Sequence, residues 1–209
     1  MRGIAFIGGA GPEPESCGAL AQDAALVVAA DSGLILAEKA GLRPDWIVGD
    51  MDSLDDPHRL VVYAPERIVR YPQDKDFTDT ELALRLLWEK GCDETWLIGG
   101  GGGRMDHLLA IRSLFERDSW PRRWFTDAET VYGLEATEQL VLTVRPGRLL
   151  SLFPLGAGPW EVHSQGLKWP LAGLPWDRGF FGLSNVTQEP EVSLWAEDGR
   201  FLVILPHAP

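Results

Sequence analysis

An α/β domain with a mostly parallel sheet, followed by an all-β sandwich, is the fold class this sequence predicts, and three observations predict it. The first 130 residues alternate short apolar runs with stretches of helical spacing. Those runs end in Gly or Asp, as strands do where they hand over to a loop. After about Thr130 the helical period disappears, and short β-rich runs follow one another with turn residues between them.

In the first part, "GIAFIGG", "ALVVAAD", "DWIVGD" and "ETWLIGG" have strand length and are nearly continuously apolar, and "RIVRYP" is a more polar relative of them. Strands of that kind are covered on both faces, which makes a parallel sheet with helical crossovers the natural arrangement. The stretches between them, "SGLILAEKAG", "TDTELALRLLWEKG" and "MDHLLAIRSLFERD", carry the helical spacing. Thr78 with Glu81 reads as a capping box at the start of the second, and Gly91 ends it. In the second part, "EQLVLTVRPG", "RLLSLFPLG", "WEVHSQG", "EVSLWAEDG" and "RFLVILP" read as antiparallel strands of a sandwich or barrel. The change of pattern falls within residues 128–138, so the expected domains are 1–130, α/β and nucleotide-binding, and 131–209, a β-sandwich.

Composition narrows the function classes. The 209 residues suffice for a sizeable core, and 45% hydrophobic with 24% charged residues describes an ordinary globular protein. A formal net charge of −12 argues against general nucleic-acid binding, which needs a basic surface, and fits a cationic ligand or a metal–nucleotide complex. The apolar runs fall short of the roughly 18 residues a membrane helix needs, so no membrane partner is expected. "MRGIAFIGGAGPEPES" has too short an apolar core for a signal peptide. Cys17 and Cys92 form no close-spaced metal or redox motif and read as free thiols of a cytoplasmic protein.

In open parallel sheets, ligands bind beyond the carboxyl ends of the strands. The unusual residues gather at those ends: Asp31 and Ser32, then Gly49, Asp50 and Asp52, then Asp74, Lys75, Asp76, Thr78 and Asp79, then "GGGGGRMDH". Each piece has an ordinary reading by itself. Asp50 and Asp52 suit a turn, Asp79 suits a helix first turn, Asp106 and His107 suit a helix start, and Lys75 suits an ion pair. Together they deliver carboxylates and a glycine loop to one rim. Oxygen ligands without Cys or clustered His suit a hard cation such as Mg²⁺, held jointly with nucleotide phosphates. The glycine run is no Walker A loop, since no Lys-Ser or Lys-Thr follows, yet it allows close backbone approach to phosphate, with Arg104 as a cationic fork. With one residue between them on an extended segment, Asp50 and Asp52 are expected to point the same way.

"AADSG", "PDWIVGDMDS", "DKDFTDTE" and "GGGGGRMDH", in that order, with "GLKWPL" and "LSN" in the β-rich part, resemble the thiamine pyrophosphokinases over nearly the whole chain. The resemblance implies transfer of the pyrophosphoryl group of ATP to the hydroxyl of thiamine, with release of AMP. Asp50, Asp52 and Asp79 would form the Mg²⁺ region and Asp31 would lie near the reacting groups. Gly100, Gly101, Gly102, Gly103 and Arg104, with Asp106 and His107, would hold ATP. Trp169, Ser184 and Asn185 would form a thiamine wall. It also implies a homodimer whose active site is shared between chains, an arrangement that suits the aromatic residues Trp160, Trp176, Phe180 and Phe181 of the small β domain. The chain departs from the pattern at Ser32, where the family often has Gly, in its longer glycine run and in the bulky segment 172–183.

Positioning and charge neutralisation dominate such phosphoryl transfers. Lys75 and Arg104 are the cations placed to neutralise growing phosphate charge, and Asp31, Asp76 and Asp79 are all open as acceptors of the hydroxyl proton. A pyrophosphokinase acting on another alcohol, such as a hydroxymethylpterin, and a non-catalytic nucleotide or thiamine sensor are the competing readings.

Overall fold

In the computed structural model, which describes residues 1–207, the chain forms two compact units, Met1–Ala128 and a second that begins at Glu129. The first unit holds β1 (Arg2–Phe6), α1 (Pro14–Ala21), β2 (Leu26–Ala30), α2 (Gly33–Lys39), β3 (Trp46–Gly49), β4 (Ile68–Arg70), α3 (Asp79–Glu89), β5 (Glu94–Ile98), α4 (Met105–Leu114) and β6 (Arg123–Phe125). Its strands pair in parallel in the order β6-β5-β1-β2-β3-β4. The chain runs outward from β1 to β4, then returns to the other side of β1 for β5 and β6. The order therefore reverses between β1 and β5, the position at which open sheets of this kind bind ligands beyond the strand ends.

Burial explains why these segments are strands and helices. Ile4, Ala5 and Phe6 of β1 and Leu97 and Ile98 of β5 are fully buried, as befits central strands covered on both faces. Helix α2 lies so close to β1 that a Cβ at Gly33 would meet the Phe6 carbonyl oxygen at 2.2 Å. Helix α3 begins with the expected capping box: Thr78 Oγ1 accepts from Glu81 N at 3.3 Å, and Thr78 N donates to Glu81 Oε2 at 2.8 Å. Helix α1 is not signalled by periodicity, because Gly18 and the prolines before it mask an eight-residue helix that starts on Pro14. The three-residue β6 is likewise too short to announce itself among Pro121, Arg122 and Arg123.

The second unit is a sandwich. Strands β7 (Glu129–Glu135), β9 (Leu149–Leu155), β11 (Gly182–Val186) and β13 (Arg200–Pro206) form one antiparallel sheet in the order β11-β9-β13-β7. Strands β8 (Gln139–Thr143), β10 (Glu161–Gln165) and β12 (Glu191–Asp198) form the other, in the order β10-β12-β8. Leu134, Leu150, Leu152, Phe201 and Val203 face Leu142, Val162, Val192, Leu194 and Ala196 across a shared core. Trp160 and Trp176 pack against that core, whereas Phe181 remains half exposed, stacked on Phe153. Strands β7 and β11 fall outside the segments expected from sequence. Gly133 interrupts the first, and Ser184, at φ +59°, bends the second.

Candidate active site

The loop after β3 shows how local sequence builds the site. Met51 and Leu54 are each only 8% exposed and sit in a cluster with Ala29, Leu34, Ile47, Leu60 and Tyr63. Between these apolar anchors, Asp50, Asp52 and Ser53 are left on the polar side. Burying Met51 requires φ +66°, so the segment is a turn and not the extended stretch expected from the spacing. Asp50 and Asp52 find different partners there, although their carboxylates still interact with each other. Asp50 Oδ1 accepts from Asp52 N at 3.2 Å, as in an Asx turn, whereas Asp52 Oδ2 accepts from Gln73 Nε2 at 2.9 Å.

Carboxylate oxygens of Asp31, Asp50 and Asp79 lie within 4.8 Å of one another. Asp31 follows β2, Asp50 follows β3 and Asp79 opens α3, so three separate elements aim at one point. A Cβ at Gly49 would meet Asp79 Oδ1 at 3.0 Å and Asp31 Cβ at 3.3 Å, and its φ of +140° also calls for glycine. Gly49 is thus a site residue in its own right: the missing side chain makes room for two carboxylates.

Lys75 closes the group. Its Nζ lies 2.8 Å from Asp50 Oδ2 and 3.3 Å from Asp79 Oδ1, and its side chain is mostly buried. Its hydrogen bond holds Asp50 below the ordinary aspartate range. Burial works against the Lys75 charge, but Asp50 and Asp79 outweigh it and raise the lysine. Burial pushes both Asp31 and Asp79 above the ordinary range, with the neighbouring carboxylates adding to the rise. Oδ1 of Asp31 is buried without a hydrogen bond, and Oδ1 of Asp79 is buried with only the Lys75 ammonium beside it, at 3.3 Å. A buried carboxylate oxygen left bare is costly, and a hard divalent cation is the ligand that would satisfy it.

The expected metal set was Asp50, Asp52 and Asp79. The structure brings Asp31 into that group, while Asp52 borders it: its backbone N and its carboxylate both interact with Asp50, and its charge adds to the negative field. Asp76 is exposed and does not join the group. Thr78 uses its hydroxyl on Glu81, donating to Oε2 at 2.8 Å, and Arg117 holds the other oxygen of Glu81. Ser32 starts α2, and its backbone N donates to Ser53 Oγ at 3.3 Å.

The glycine loop follows β5, beside the end of β1. Much of its backbone is already engaged: Gly99 N donates to Phe125 O, Gly100 N to Gly8 O and Gly101 N to Ala10 O. A Cβ would strike Ile111 and Ile7 at position 100, and Asp127 at position 101. These glycines serve close packing, and phosphate-facing amides are expected only at Gly102 and Gly103, which are exposed and donate to no acceptor among the described residues. The Arg104 fork is occupied by Asp106, with Nε 3.1 Å from Oδ1, and His107 N donates to that same oxygen at 3.1 Å. All three side chains are exposed at the start of α4.

In the sandwich unit, Asn185 is buried and clasps the backbone of Trp169. Its Nδ2 donates to Trp169 O at 2.6 Å, and its Oδ1 accepts from Trp169 N at 3.2 Å and from Val186 N at 2.8 Å. Asn185 therefore shapes the Trp169 segment and has little hydrogen-bonding capacity left for a ligand. The Trp169 ring is half exposed, with Lys168 Nζ 4.6 Å from its centroid, and Ser184 is exposed beside Asn185 in sequence.

A second convergence, Glu161, His163 and Glu197, lies on β10 and β12. Here His163 Nε2 stands 3.1 Å from Glu197 and 3.4 Å from Glu161, and its ring stacks on Trp195.

Residues 17–119 match the family model of the thiamin pyrophosphokinase catalytic domain. The thiamine pyrophosphokinase of Bacillus subtilis (strain 168) is 28% identical over 150 residues, 70% of each chain. Among solved structures, thiamine pyrophosphokinase from Bacillus subtilis superposes with a TM-score of 0.81 at 22% identity, covering 99% of this chain and all of its own. A thiamin pyrophosphokinase family protein from Enterococcus faecalis gives 0.79 at 23% identity with both chains fully covered. Thiamin pyrophosphokinase from Candida albicans gives 0.76 at 15% identity, over 99% of this chain and 90% of that one. At such identities the structural matches speak for the fold: an α/β unit followed by an antiparallel sandwich. No helix among the described residues is long and apolar enough to cross a membrane. Through the catalytic-domain match over residues 17–119, the chain is similar to the thiamin pyrophosphokinases.

Proposed function

We propose that this protein is a thiamine diphosphokinase that moves the pyrophosphoryl group of ATP to the hydroxyl of thiamine, yielding thiamine diphosphate and AMP. The observation that carries the reading is the convergence of buried Asp31 with partly buried Asp50 and Asp79 at the strand ends, inside the segment that matches the family's catalytic domain. Their hard oxygen donors, with Asp31 Oδ1 left bare, fit Mg²⁺. When bound, Mg²⁺ supplies charge neutralisation and alignment of the phosphates.

The chain's own residues do the rest. Asp31, Asp50 and Asp79 would hold the cation. Lys75, already positioned by Asp50 and Asp79, reaches the same point and offsets charge on the transferred group. Gly102 and Gly103 offer amides, and Arg104 and His107 stand at the start of α4 as polar contacts for the nucleotide. Arg104 exchanges Asp106 for phosphate as its partner. Trp169 offers an aromatic face to a cationic ring system, a favourable pairing for thiamine. The acidic chain favours approach of that cation. We further propose a cytoplasmic homodimer with the site shared between chains. Trp169, Phe181 and Leu183, each half or more exposed on the sandwich, are the apolar side chains such a dimer would cover.

The test is direct: incubate the purified protein with ATP, Mg²⁺ and thiamine, and look for AMP and thiamine diphosphate. A hydroxymethylpterin in place of thiamine is expected to give no product. Absence of AMP and thiamine diphosphate with active-site metal present would overturn the proposal.

A further inference from the structure

We propose that Ser53 is a positioning residue of this site: its hydroxyl ties up one oxygen of Asp31 and thereby leaves the other, Oδ1, to a divalent cation. The inference rests on the reading of Asp31, Asp50 and Asp79 as cation ligands.

The starting point is the backbone. Asp31 has φ +48°, a left-handed conformation that non-glycine residues adopt seldom, Asp more readily than most, and that the surroundings must hold in place. The main chain supplies part of that constraint: Asp31 N donates to Val48 O at 2.9 Å, and Leu34 N donates to Asp31 O at 3.0 Å. These bonds place the Cα but leave the carboxylate free to rotate. Ser53 fixes the carboxylate. Its hydroxyl donates a short hydrogen bond to Asp31 Oδ2 and accepts from Ser32 N at 3.3 Å. A hydroxyl has one proton to give, so Ser53 cannot serve Oδ1 as well. Oδ1 stays buried and bare, within 4.8 Å of the oxygens of Asp50 and Asp79.

Ser53 itself is held from below. It stands between the buried anchors Met51 and Leu54, so the loop that carries Asp50 also carries the residue that orients Asp31. One turn thus sets two of the three carboxylates. Outer partners of this kind typically account for about 10- to 100-fold in metal affinity. A loop staple without this role would change stability and leave cation binding alone.

The experiment uses the full chain and Mn²⁺ as the probe, with free Mn²⁺ read by electron paramagnetic resonance, alone and with α,β-methylene-ATP. Four variants separate the hydroxyl from its shape. Ser53→Ala and Ser53→Val remove it, Ser53→Thr keeps it with the outline of valine, and Asp79→Asn marks loss of a ligand. The expected result is a Kd raised about 10- to 100-fold in the Ala and Val variants, near-normal binding in the Thr variant, and unchanged thermal melting in all three. Equal Mn²⁺ binding in Ser53→Ala and the unmodified chain would overturn the proposal. So would equal loss in the Thr and Val variants, or no Mn²⁺ bound by the unmodified chain under either condition. Failure of the thiamine reading looks different: Mn²⁺ binds in a Ser53-dependent way, but no thiamine diphosphate forms.

Discussion

Two groups of three residues in this molecule bring ligand atoms equally close together, and they differ in nearly everything else. Asp31, Asp50 and Asp79 are drawn from three elements of the α/β unit; Glu161, His163 and Glu197 come from two neighbouring strands of the sandwich. In the first group, burial raises Asp31 and Asp79, and Asp31 Oδ1 is buried with no partner, although Lys75 pairs with Asp50 and Asp79. In the second, both glutamates are more than half exposed, and His163 satisfies them directly. A site is marked by polar atoms whose needs the protein does not meet, and closeness alone is a poor guide. Surface charges that partner one another in water contribute little to stability and have no unmet need for a ligand.

Mutation sharpens this contrast. The largest effect is expected at Asp79→Asn, which should lower turnover by at least about a hundredfold, more than loss of an outer partner typically costs. His163→Gln should leave steady-state turnover unchanged within error. Equal losses in both would erase the distinction. Asp52→Asn is expected to cost less than Asp50→Asn, because Asp52 is engaged with Gln73 and borders the group without joining it. Kinetics of the pair measures that difference.

Next comes Gly49→Ala. It puts a Cβ at 3.0 Å from Asp79 Oδ1 and at φ +140°, so it should lose more than about 1 kcal/mol of stability along with activity. Denaturant melts and turnover together check this.

The sign of the pH effect gives a finer test. Asp31 and Asp79 are raised in the folded state, so the folded chain prefers them protonated. Their contribution to stability is therefore fully present below the ordinary aspartate range and is lost as pH rises through the folded values. Asp79→Asn removes that liability. Its melting temperature should exceed that of the unmodified chain at neutral pH without added metal, and the gap should close in acid. Thr78→Ala should cost about 1 kcal/mol through the lost cap. Glu161→Gln and Glu197→Gln should stay within about 0.5 kcal/mol of the unmodified chain, the smallest effects of the set.

The order of strands and helices was legible wherever apolar runs had full length. It failed where glycine or proline interrupted a short element, as at Gly18 of α1 and Gly133 of β7. The acidic rim was legible too, since carboxylates crowded at successive strand ends repel one another unless a cation joins them. Which carboxylates converge was not. That depended on the positive φ of Asp31 and Met51, which neither residue type announces, and on the space left by Gly49. The glycine run promised more than it delivers for the same reason: sequence shows the freedom of its backbone but not that Gly8, Ala10 and Phe125 already occupy three of its amides.

Met51 has a consequence for anyone altering this protein. Because its side chain fills the cluster of Ala29, Ile47 and Leu60 while Asp50 and Ser53 belong to the acidic group of Asp31, Asp50 and Asp79, packing and chemistry share one short segment. A library that varies 50–54 will return mostly unfolded chains unless positions 51 and 54 stay apolar. Conversely, a repacking of that cluster aimed at heat resistance will shift the carboxylates without touching one of them. Variants selected for robustness there need to be screened for metal affinity in the same round.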